Sequence, residues 1–283
     1  MTNTQRSILI TGCSSGIGEC VAFGLKERGY RVFATARKQA DVERLTASGF
    51  EAYQLDLNDT ASIRLAAKNI LDACDHKLFS LFNNGAFGQP GAIEDLSTDT
   101  LRQQFETNVF GWHELTCLVI PSMRKNGEGR IIQNSSLLGY VSLAYRGAYN
   151  SSKHAIEGLS DTLRMELHDS GIKVSLIEPG PVKSLFRKNA MQAFHDNVSI
   201  EGSPHESTYK GMLKRLQKQG PSMPFTLPPE AVLKKVIHAL ESKKPNPRYY
   251  VTTPSYLLGY AKRLLSTRQL DKILLSISKK ENQ

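Results

Sequence analysis

Short runs of isoleucine, valine, leucine and phenylalanine alternate along the chain with longer stretches in which apolar residues recur every three or four positions. The short runs predict seven strands, at residues 7–11, 31–35, 51–55, 78–83, 129–134, 173–177 and 248–252. The longer stretches predict helices at residues 16–28, 39–48, 60–74, 98–124, 147–170 and 229–241. Strands that alternate with helices are joined by right-handed crossovers. We therefore expect an α/β fold with a doubly wound parallel sheet covered by helices on both faces.

The chain shows neither an internal repeat nor a break in composition over its first 180 residues. Residues 181–228 are rich in proline, serine and glutamine and have weak periodicity, so we expect an irregular substrate lid there. We predict one domain over residues 1–253, which contains this lid. We predict a basic amphipathic C-terminal extension over residues 254–283.

Composition places the chain among ordinary folded proteins, with 283 residues, 40% hydrophobic and 22% charged. The sequence contains neither an 18-residue apolar run nor a signal-peptide core, and its four scattered cysteines lack metal-ligand or disulfide spacing. These features favour a reducing cytoplasm, and we expect no bound metal.

The net charge of +9 is concentrated near the C-terminus, where residues 205–283 hold 15 lysines and arginines against five acidic residues. No nucleic-acid-binding motif accompanies this charge, so we expect no nucleic-acid partner. Leu270, Ile273, Leu274 and Ile277 form an apolar stripe beside the lysines. The stripe has three interpretations, in this order: it covers the domain's own surface, contacts another subunit, or lies on an anionic membrane that collects a lipophilic substrate.

A glycine-rich turn follows the first predicted strand and opens the first helix. Its glycines permit a tight turn and close backbone approach, and the helix N-terminus offers N–H groups to a pyrophosphate. The turn predicts a nucleotide site formed by Gly12, Ser14, Ser15, Gly16, Ile17 and Gly18.

The end of the second strand indicates which dinucleotide is bound. An acidic residue there would accept from a ribose 2′-hydroxyl, whereas Arg37 and Lys38 suit a 2′-phosphate, so NADP(H) is favoured over NAD(H). Asp56 and Leu57 follow the third strand, where a carboxylate can accept from adenine. Asn84 and Gly85 follow the fourth and would line the cofactor's floor.

Tyr149 and Lys153 are one helical turn apart and share a face. An adjacent ammonium lowers a phenol's pKa, so the pair can deliver a proton to the alkoxide formed when hydride reaches a carbonyl. Ser136 ends the fifth strand and can donate to the substrate oxygen; Ser135 competes with it, but the spacing to Tyr149 favours Ser136. Tyr145 is rejected because no lysine follows it by four residues.

Asn108 lies within a predicted helix, where a mid-helix amide is unfavourable unless it has partners. His113 and His154 show no matching third ligand and are interpreted as structural.

Together these motifs resemble the short-chain dehydrogenase/reductase family, whose domain is Rossmann-like. In order over residues 5–185, they are T-G-x-x-x-G-I-G, N-N-x-x, N, S, Y-x-x-x-K and P-G. The resemblance implies that Tyr149 is the general acid/base and that Ser136 orients the carbonyl. It also implies that Lys153 lowers the Tyr149 pKa and binds the nicotinamide ribose, and that Asn108 holds a relay water.

By the same resemblance Asp56 would contact adenine and Asn84 would line the cofactor cleft. Residues of the segment after the sixth strand would cover the nicotinamide: Pro179, Gly180, Val182 and Ser184, with Ser184 standing where the family usually has threonine. A second departure is the order Gly85-Ala86, where the family usually has Ala-Gly.

Within the family, the glycine-rich turn, the Arg37 position and the segment 177–181 look like the retinol and hydroxysteroid dehydrogenase branch, closest to its bacterial NADP-dependent aldehyde reductases. This implies a large apolar carbonyl or alcohol substrate, and a homodimer or homotetramer formed through the helices near 98–124 and 147–170. Pocket candidates in the lid are Leu185, Phe186, Met191, Phe194, Met212, Leu213, Met223, Phe225 and Leu227. Two alternatives stay open: a non-catalytic NADPH-binding regulatory module, and an NAD-dependent alcohol, retinol or steroid dehydrogenase.

Overall fold

A computed structural model describes residues 5–217, 220 and 224–281. Seven parallel strands form one sheet in the order β3-β2-β1-β4-β5-β6-β7. They are β1 Ser7–Ile10, β2 Arg31–Ala36, β3 Glu51–Gln54, β4 Ser80–Asn83, β5 Gly129–Asn134, β6 Ile172–Glu178 and β7 Arg248–Tyr250. All seven predicted strands are confirmed, and the strand order reverses between β1 and β4, where open α/β sheets bind ligands.

Eleven α-helices accompany the sheet in the described part of the chain. They are α1 Gly16–Glu27, α2 Gln39–Ala47, α3 Thr60–Ala73, α4 Thr98–Phe105, α5 Gly111–Asn126, α6 Gly147–Glu166, α7 Phe186–Asn197, α8 Glu206–Gln217, α9 Glu230–Glu241, α10 Thr253–Leu264 and α11 Thr267–Glu281. The helix predicted at 98–124 is divided by a π-helical turn, Glu106–Phe110, between α4 and α5.

Both faces of the sheet are buried, as the strand–helix alternation predicts. Side chains alternate along β1, so that Ile8 and Ile10 pack with α1, α2 and α9, whereas Leu9 packs with α3, α5 and α6. The result is a Rossmann-like α/β domain with one core layer on each side of the sheet.

The prediction of an irregular lid is wrong, because residues 181–228 contain α7 and α8. These helices form a small core of their own, in which Phe194 and Tyr209 are fully buried and contact each other edge to face. The apolar positions of two short helices that pack on each other give only a weak periodic signal among the surrounding polar residues.

The C-terminal extension is two helices packed on the domain. Leu270 and Leu274 of α11 are buried against the loop that carries Leu137, Val141 and Leu143. The first interpretation of the apolar stripe is therefore confirmed for these residues, while Ile273 remains exposed. Among the described residues, none of the helices has both the length and the apolar character needed to cross a membrane.

Candidate active site

The glycine-rich turn lies at the carboxyl end of β1, and its conformation explains its glycines. Gly12 and Gly16 have positive φ angles, of 72° and 61°. A Cβ on Gly12 would lie 2.7 Å from the Cα of Gly85, and one on Gly18 would lie 2.2 Å from the Gly12 carbonyl oxygen. The turn therefore brings β1, β4 and the start of α1 into backbone contact.

The N-terminus of α1 is suited to a phosphate group. Ser15 is the N-cap residue, and its side chain makes no capping hydrogen bond within the described chain. The N–H groups of the first turn lack partners inside the helix and carry its positive dipole end. Ser14, Ser15 and Ile17 are each partly exposed beside these groups, so the turn fits the pyrophosphate of a dinucleotide.

Asn84 ties three strand ends together below the turn. The backbone N–H groups of Asn84 and Gly85 both donate to Thr11 Oγ1, at 2.8 and 2.9 Å. The Asn84 side chain donates to the Thr11 carbonyl at 2.9 Å and accepts from Asn134 at 2.8 Å. The reversed Gly85-Ala86 order has a packing reason: Gly85 makes the close approach to Gly12, while the Ala86 methyl packs against the core beside α3 and α5.

Arg37 and Lys38 are exposed directly after β2, as predicted, and no acidic residue lies between the end of β2 and Asp41. Sequence reasoning missed a third cation: Arg44 of α2 donates to the Ser14 carbonyl at 2.6 Å and pairs with Glu19 at 2.7 Å. The contact joins residues 30 positions apart, so no local pattern indicates it.

After β3, Asp56 is partly exposed, whereas Leu57 is buried. Asp56 accepts from the Asn58 N–H at 3.0 Å and remains partly exposed at the sheet edge. The Leu57 side chain is buried in the core, which leaves its backbone as the part available to a cofactor.

The segment after β6 reaches back to the glycine-rich turn. A Cβ on Gly16 would lie 3.0 Å from the Ser184 Cβ, so Ser184 stands directly opposite the turn. Pro179 accepts from the Leu137 N–H at 2.8 Å, Gly180 packs against Thr252, and Val182 bridges Leu227 in parallel. This arrangement brings Ser184, together with the segment after β6, to the glycine-rich turn.

Lys153 is 1% exposed on α6, and its environment is set by contacts distant in sequence. Its Nζ donates to the Asn134 carbonyl at 2.8 Å and lies 4.3 Å from the centre of the Trp112 ring. Burial lowers the Lys153 pKa to about 7, although the carboxylate of Glu157 opposes the shift. The ammonium is 5.7 Å from the centre of the Tyr149 ring.

The Ser136 hydroxyl lies close enough to the Tyr149 phenol to favour its ionised form. Burial raises the Tyr149 pKa to about 12, while Ser136 and the charge of Arg146 act in the opposite direction. Lys153 is not among the groups that shift this pKa here, so its expected lowering of the Tyr149 pKa stays a prediction. Ser135 Oγ lies beneath the next loop, close to Gly139, which supports the choice of Ser136.

Asn108 lies in the π-helical turn, and its side-chain amide is fully used. It donates to the Phe87 carbonyl at 2.9 Å and to Ser152 Oγ at 3.1 Å, and it accepts from the Phe87 N–H at 3.2 Å. π-Helical turns are frequent at functional sites. Here the turn joins the loop after β4 to the helix that carries Tyr149 and Lys153.

Phe186 of the lid covers Tyr149. Their ring centres are 5.3 Å apart at an interplanar angle of 63°, and a Cβ on Gly88 would lie 2.6 Å from the tip of Phe186. Among the other pocket candidates, Phe194 and Met212 are buried in the lid's own core, with Met191 and Leu213 packed against it, and Leu185 and Phe225 are exposed. Met223 lies outside the described residues.

The two histidines interpreted as structural from the sequence both have partners within their own helix. His113 contacts Cys117, at 3.7 Å, and His154 contacts the Asn150 carbonyl, at 2.9 Å. Across the described residues no group of three or more metal-ligating side chains is found.

The family model for short chain dehydrogenases matches residues 6–194. The chain belongs to this family. It is 44% identical over 270 residues to the uncharacterized oxidoreductase YbbO of Escherichia coli, an alignment that covers 95% of this chain and 94% of that one.

Two further relatives bear on the predicted branch. The chain is 33% identical to the NADPH-dependent 3-dehydrocapnine reductase of Ornithobacterium rhinotracheale, with 99% of both chains covered. It is 31% identical to human retinol dehydrogenase 16, with 97% of this chain and 89% of that one covered. The predicted oxidoreductase class and the similarity to retinol dehydrogenases are confirmed.

Proposed function

We propose that this chain is an NADP(H)-dependent oxidoreductase that interconverts a large apolar aldehyde or ketone and its alcohol. The observation that carries the proposal is the convergence of three groups at the carboxyl edge of the sheet: Ser136 acts on the Tyr149 hydroxyl, and the buried Lys153 Nζ lies 5.7 Å from the centre of the Tyr149 ring. A binding module has no use for an acid held in this position.

In carbonyl reduction Ser136 and Tyr149 donate hydrogen bonds to the substrate oxygen, which stabilises the charge that develops on it. A nicotinamide bound between the glycine-rich turn and the segment after β6 supplies the hydride. With a pKa near 12, Tyr149 holds its proton across the neutral range and can transfer it to the alkoxide. Lys153 fixes the end of β5 through Asn134 and would bind the nicotinamide ribose. The Asn108 side-chain amide already has three hydrogen bonds, so the backbone carbonyl of Asn108 would hold the relay water.

The preference for NADP(H) is supported by Arg37, Lys38 and Arg44, three cations at the place where a 2′-phosphate would lie. The NADPH-dependent relative supports the same preference. An apolar substrate is supported by Phe186 above Tyr149 and by the apolar loop 137–143 beside it.

The test is a panel of apolar aldehydes, ketones and alcohols, each assayed with both nicotinamide cofactors by absorbance at the nicotinamide band. The proposal requires turnover of carbonyl substrates that is faster with NADPH than with NADH. Tight NADPH binding without turnover across the panel would instead support the regulatory module, and faster turnover with NAD would support the NAD-dependent dehydrogenase.

A homodimer or homotetramer through α4, α5 and α6 is also proposed. Leu101 and Phe110 are exposed near the start of this helical face, and Leu159 and Met165 are exposed on α6. Exposed apolar clusters of this kind are typical of subunit interfaces. Light scattering on the purified chain tests this, and a monomer at micromolar concentration would contradict it.

Peripheral membrane contact in a cytoplasmic setting is proposed on residues other than those first expected. Helix α10 exposes Leu257, Tyr260 and Leu264 along one stripe, with Leu264 80% exposed. Lys262 and Arg263 flank the stripe without an ion pair among the described residues, so its charge suits an anionic lipid surface and opposes self-association. The free cysteines support the cytoplasmic setting.

Flotation with liposomes tests the membrane contact. The intact protein should rise with vesicles that contain an anionic lipid and not with neutral ones, and the triple change of Leu257, Tyr260 and Leu264 to serine should abolish this. Equal flotation of both proteins would refute the contact, and flotation lost together with a dimer would assign the stripe to a second subunit.

A further inference from the structure

A cluster of three arginines and one glutamate lies at the rim of the active site. Arg146, immediately before α6, and Arg215 of α8 both form ion pairs with the same oxygen of Glu281, at the end of α11. Arg187 of α7 lies close enough for its charge to lower the Arg215 pKa. The cluster therefore joins the catalytic helix, both lid helices and the C-terminal helix.

The central charges of this arginine cluster are poorly hydrated. The side chains of Arg146, Arg215 and Glu281 are 22%, 14% and 9% exposed. Burial and the charges of Arg146 and Arg187 lower the Arg215 pKa to about 10. Among the described residues, Arg146 and Arg215 thus share the single carboxylate of Glu281 at a site where unpaired charge is strongly unfavourable.

The hydrogen bonding of the cluster is incomplete. Arg215 Nε and Glu281 Oε1 are buried without a hydrogen-bond partner among the described residues. Buried polar groups in native proteins are normally satisfied, so a half-satisfied network calls for a further group. A guanidinium with an unused Nε–H suits a ligand with two or three acceptor oxygens.

The cluster adjoins the reacting groups. Arg146 is three residues before Tyr149, and its charge acts on the Tyr149 pKa. Arg187 follows Phe186, whose ring covers Tyr149. A substrate whose carbonyl lies at Tyr149 can therefore extend beneath Phe186 and reach the arginines.

We propose that the arginine cluster binds an anionic end of the substrate, and that in the structure Glu281 occupies the place of that group. This inference rests on the proposed function and narrows it to an apolar carbonyl compound, or its alcohol, that bears a carboxylate, sulfonate or phosphate. A substrate anion can displace the Glu281 carboxylate, because Glu281 belongs to the last turn of α11. The preceding turns are held on the loop 137–144 by Leu270, Leu274 and Ser278.

The kinetic test compares dodecanal with 12-oxododecanoate, which differ by one terminal carboxylate. We expect the wild type to favour the acid roughly tenfold in kcat/KM, and Arg215→Gln to remove that preference. Arg102→Gln is the control, because Arg102 is an exposed arginine paired with Asp99 away from the site. A ratio near one in the wild type, or a ratio unchanged in Arg215→Gln, would overturn the proposal.

The second test measures binding without turnover, with dodecanoate and dodecanol as probes in thermal-shift titrations. We expect Glu281→Gln to bind dodecanoate several-fold more tightly than the wild type, because the competing carboxylate is gone. If the ion pair is purely structural, Glu281→Gln should instead bind both dodecanoate and dodecanol more weakly, by the same factor. Arg215-dependent binding of dodecanoate by a chain that turns over no carbonyl compound would retain this site and reject the oxidoreductase proposal. Turnover of carbonyl compounds without selectivity for the acid would retain the oxidoreductase proposal and reject the anion site.

Discussion

The ring of Phe186 lies edge to face on the ring of Tyr149, with centres 5.3 Å apart, and so covers the proposed proton donor with a lid residue. Gly88 makes this contact possible, because any larger side chain there would collide with the tip of Phe186. Tyr149 is thus shielded on this side by an aromatic ring, and burial raises its pKa to about 12. The position of Phe186 therefore determines how far this side of the Tyr149 ring is open to water.

Replacing Phe186 with alanine should lower kcat/KM for large apolar carbonyls roughly tenfold, since an apolar wall of the pocket is lost. Affinity for NADPH should change little, because Phe186 lies on the substrate side of Tyr149. Steady-state kinetics and a fluorescence titration of NADPH measure the two quantities. Leu185→Ala is the matched control, because Leu185 is its exposed neighbour; equal losses in both variants would contradict the role of Phe186.

Tyr149→Phe should reduce turnover by about 10²- to 10⁴-fold while NADPH binds as in the wild type, because the proton donor alone is removed. Tyr145→Phe is the control: Tyr145 contacts His205 rather than the catalytic centre, and that variant should retain activity. Single-turnover rates and NADPH titrations separate the two effects. Loss of NADPH binding in Tyr149→Phe would show that the tyrosine is structural.

The sheet and the glycine-rich turn could be predicted because their signals are local. Strands buried on both faces read as continuous apolar runs, as at Ile8, Leu9 and Ile10 of β1, which are all fully buried. The turn fixes its own backbone through Gly12 and Gly16 over a few residues. Tyr149 and Lys153 are likewise placed by a single helical turn.

The electrostatics of the site could not be predicted from the sequence. Lys153 contacts Asn134 and Trp112, which come from β5 and α5, and burial in the folded chain raises the Tyr149 pKa. Spacing within one helix indicates only that the two side chains share a face. The contact of Arg44 with the glycine-rich turn was missed for the same reason, because it depends on how α2 packs beside α1.

Arg37→Asp should shift cofactor preference from NADPH towards NADH by roughly tenfold or more, because a carboxylate repels a 2′-phosphate and accepts from a 2′-hydroxyl. The ratio of kcat/KM for the two cofactors is the measurement. Arg124→Asp makes the same charge change at an exposed position at the far end of α5 and should leave the ratio unaltered. An unchanged ratio in Arg37→Asp would remove this residue from the cofactor site.

Arg146→Gln should move the pH dependence of alcohol oxidation to higher pH. Oxidation requires the phenolate of Tyr149, so its rate rises with pH, and the positive charge of Arg146 favours that phenolate by lowering the Tyr149 pKa. Loss of the charge therefore raises the pKa and delays the rise. Profiles of kcat/KM against pH measure the shift, with Arg164→Gln on the same helix as the control; a shift to lower pH would contradict the assignment.

Arg248→Met should destabilise the fold, and more so at alkaline pH. Arg248 forms ion pairs with Glu157, Asp161 and Glu178, the last at 2.8 Å, and Glu178 is fully buried. Burial and the neighbouring Glu157 raise the Glu178 pKa from 4.5 to about 8, so the folded state holds this proton more tightly than the unfolded chain. The stabilisation from that proton is complete below pH 4.5 and is lost as the pH rises through about 8.

Removing the guanidinium leaves Glu157 and Asp161 without their counter-charge, which lowers the free energy of unfolding by about 3 kcal/mol near neutral pH. The loss should be larger above pH 8, where Glu178 gives up its proton and also needs that counter-charge. Urea unfolding at several pH values measures both effects. Arg28→Met removes an exposed ion pair with Glu241 and should change little at any pH. A loss in Arg248→Met that is equal below and above pH 8 would mean that packing of the arginine side chain, rather than its charge, supports the junction of α6, β6 and β7.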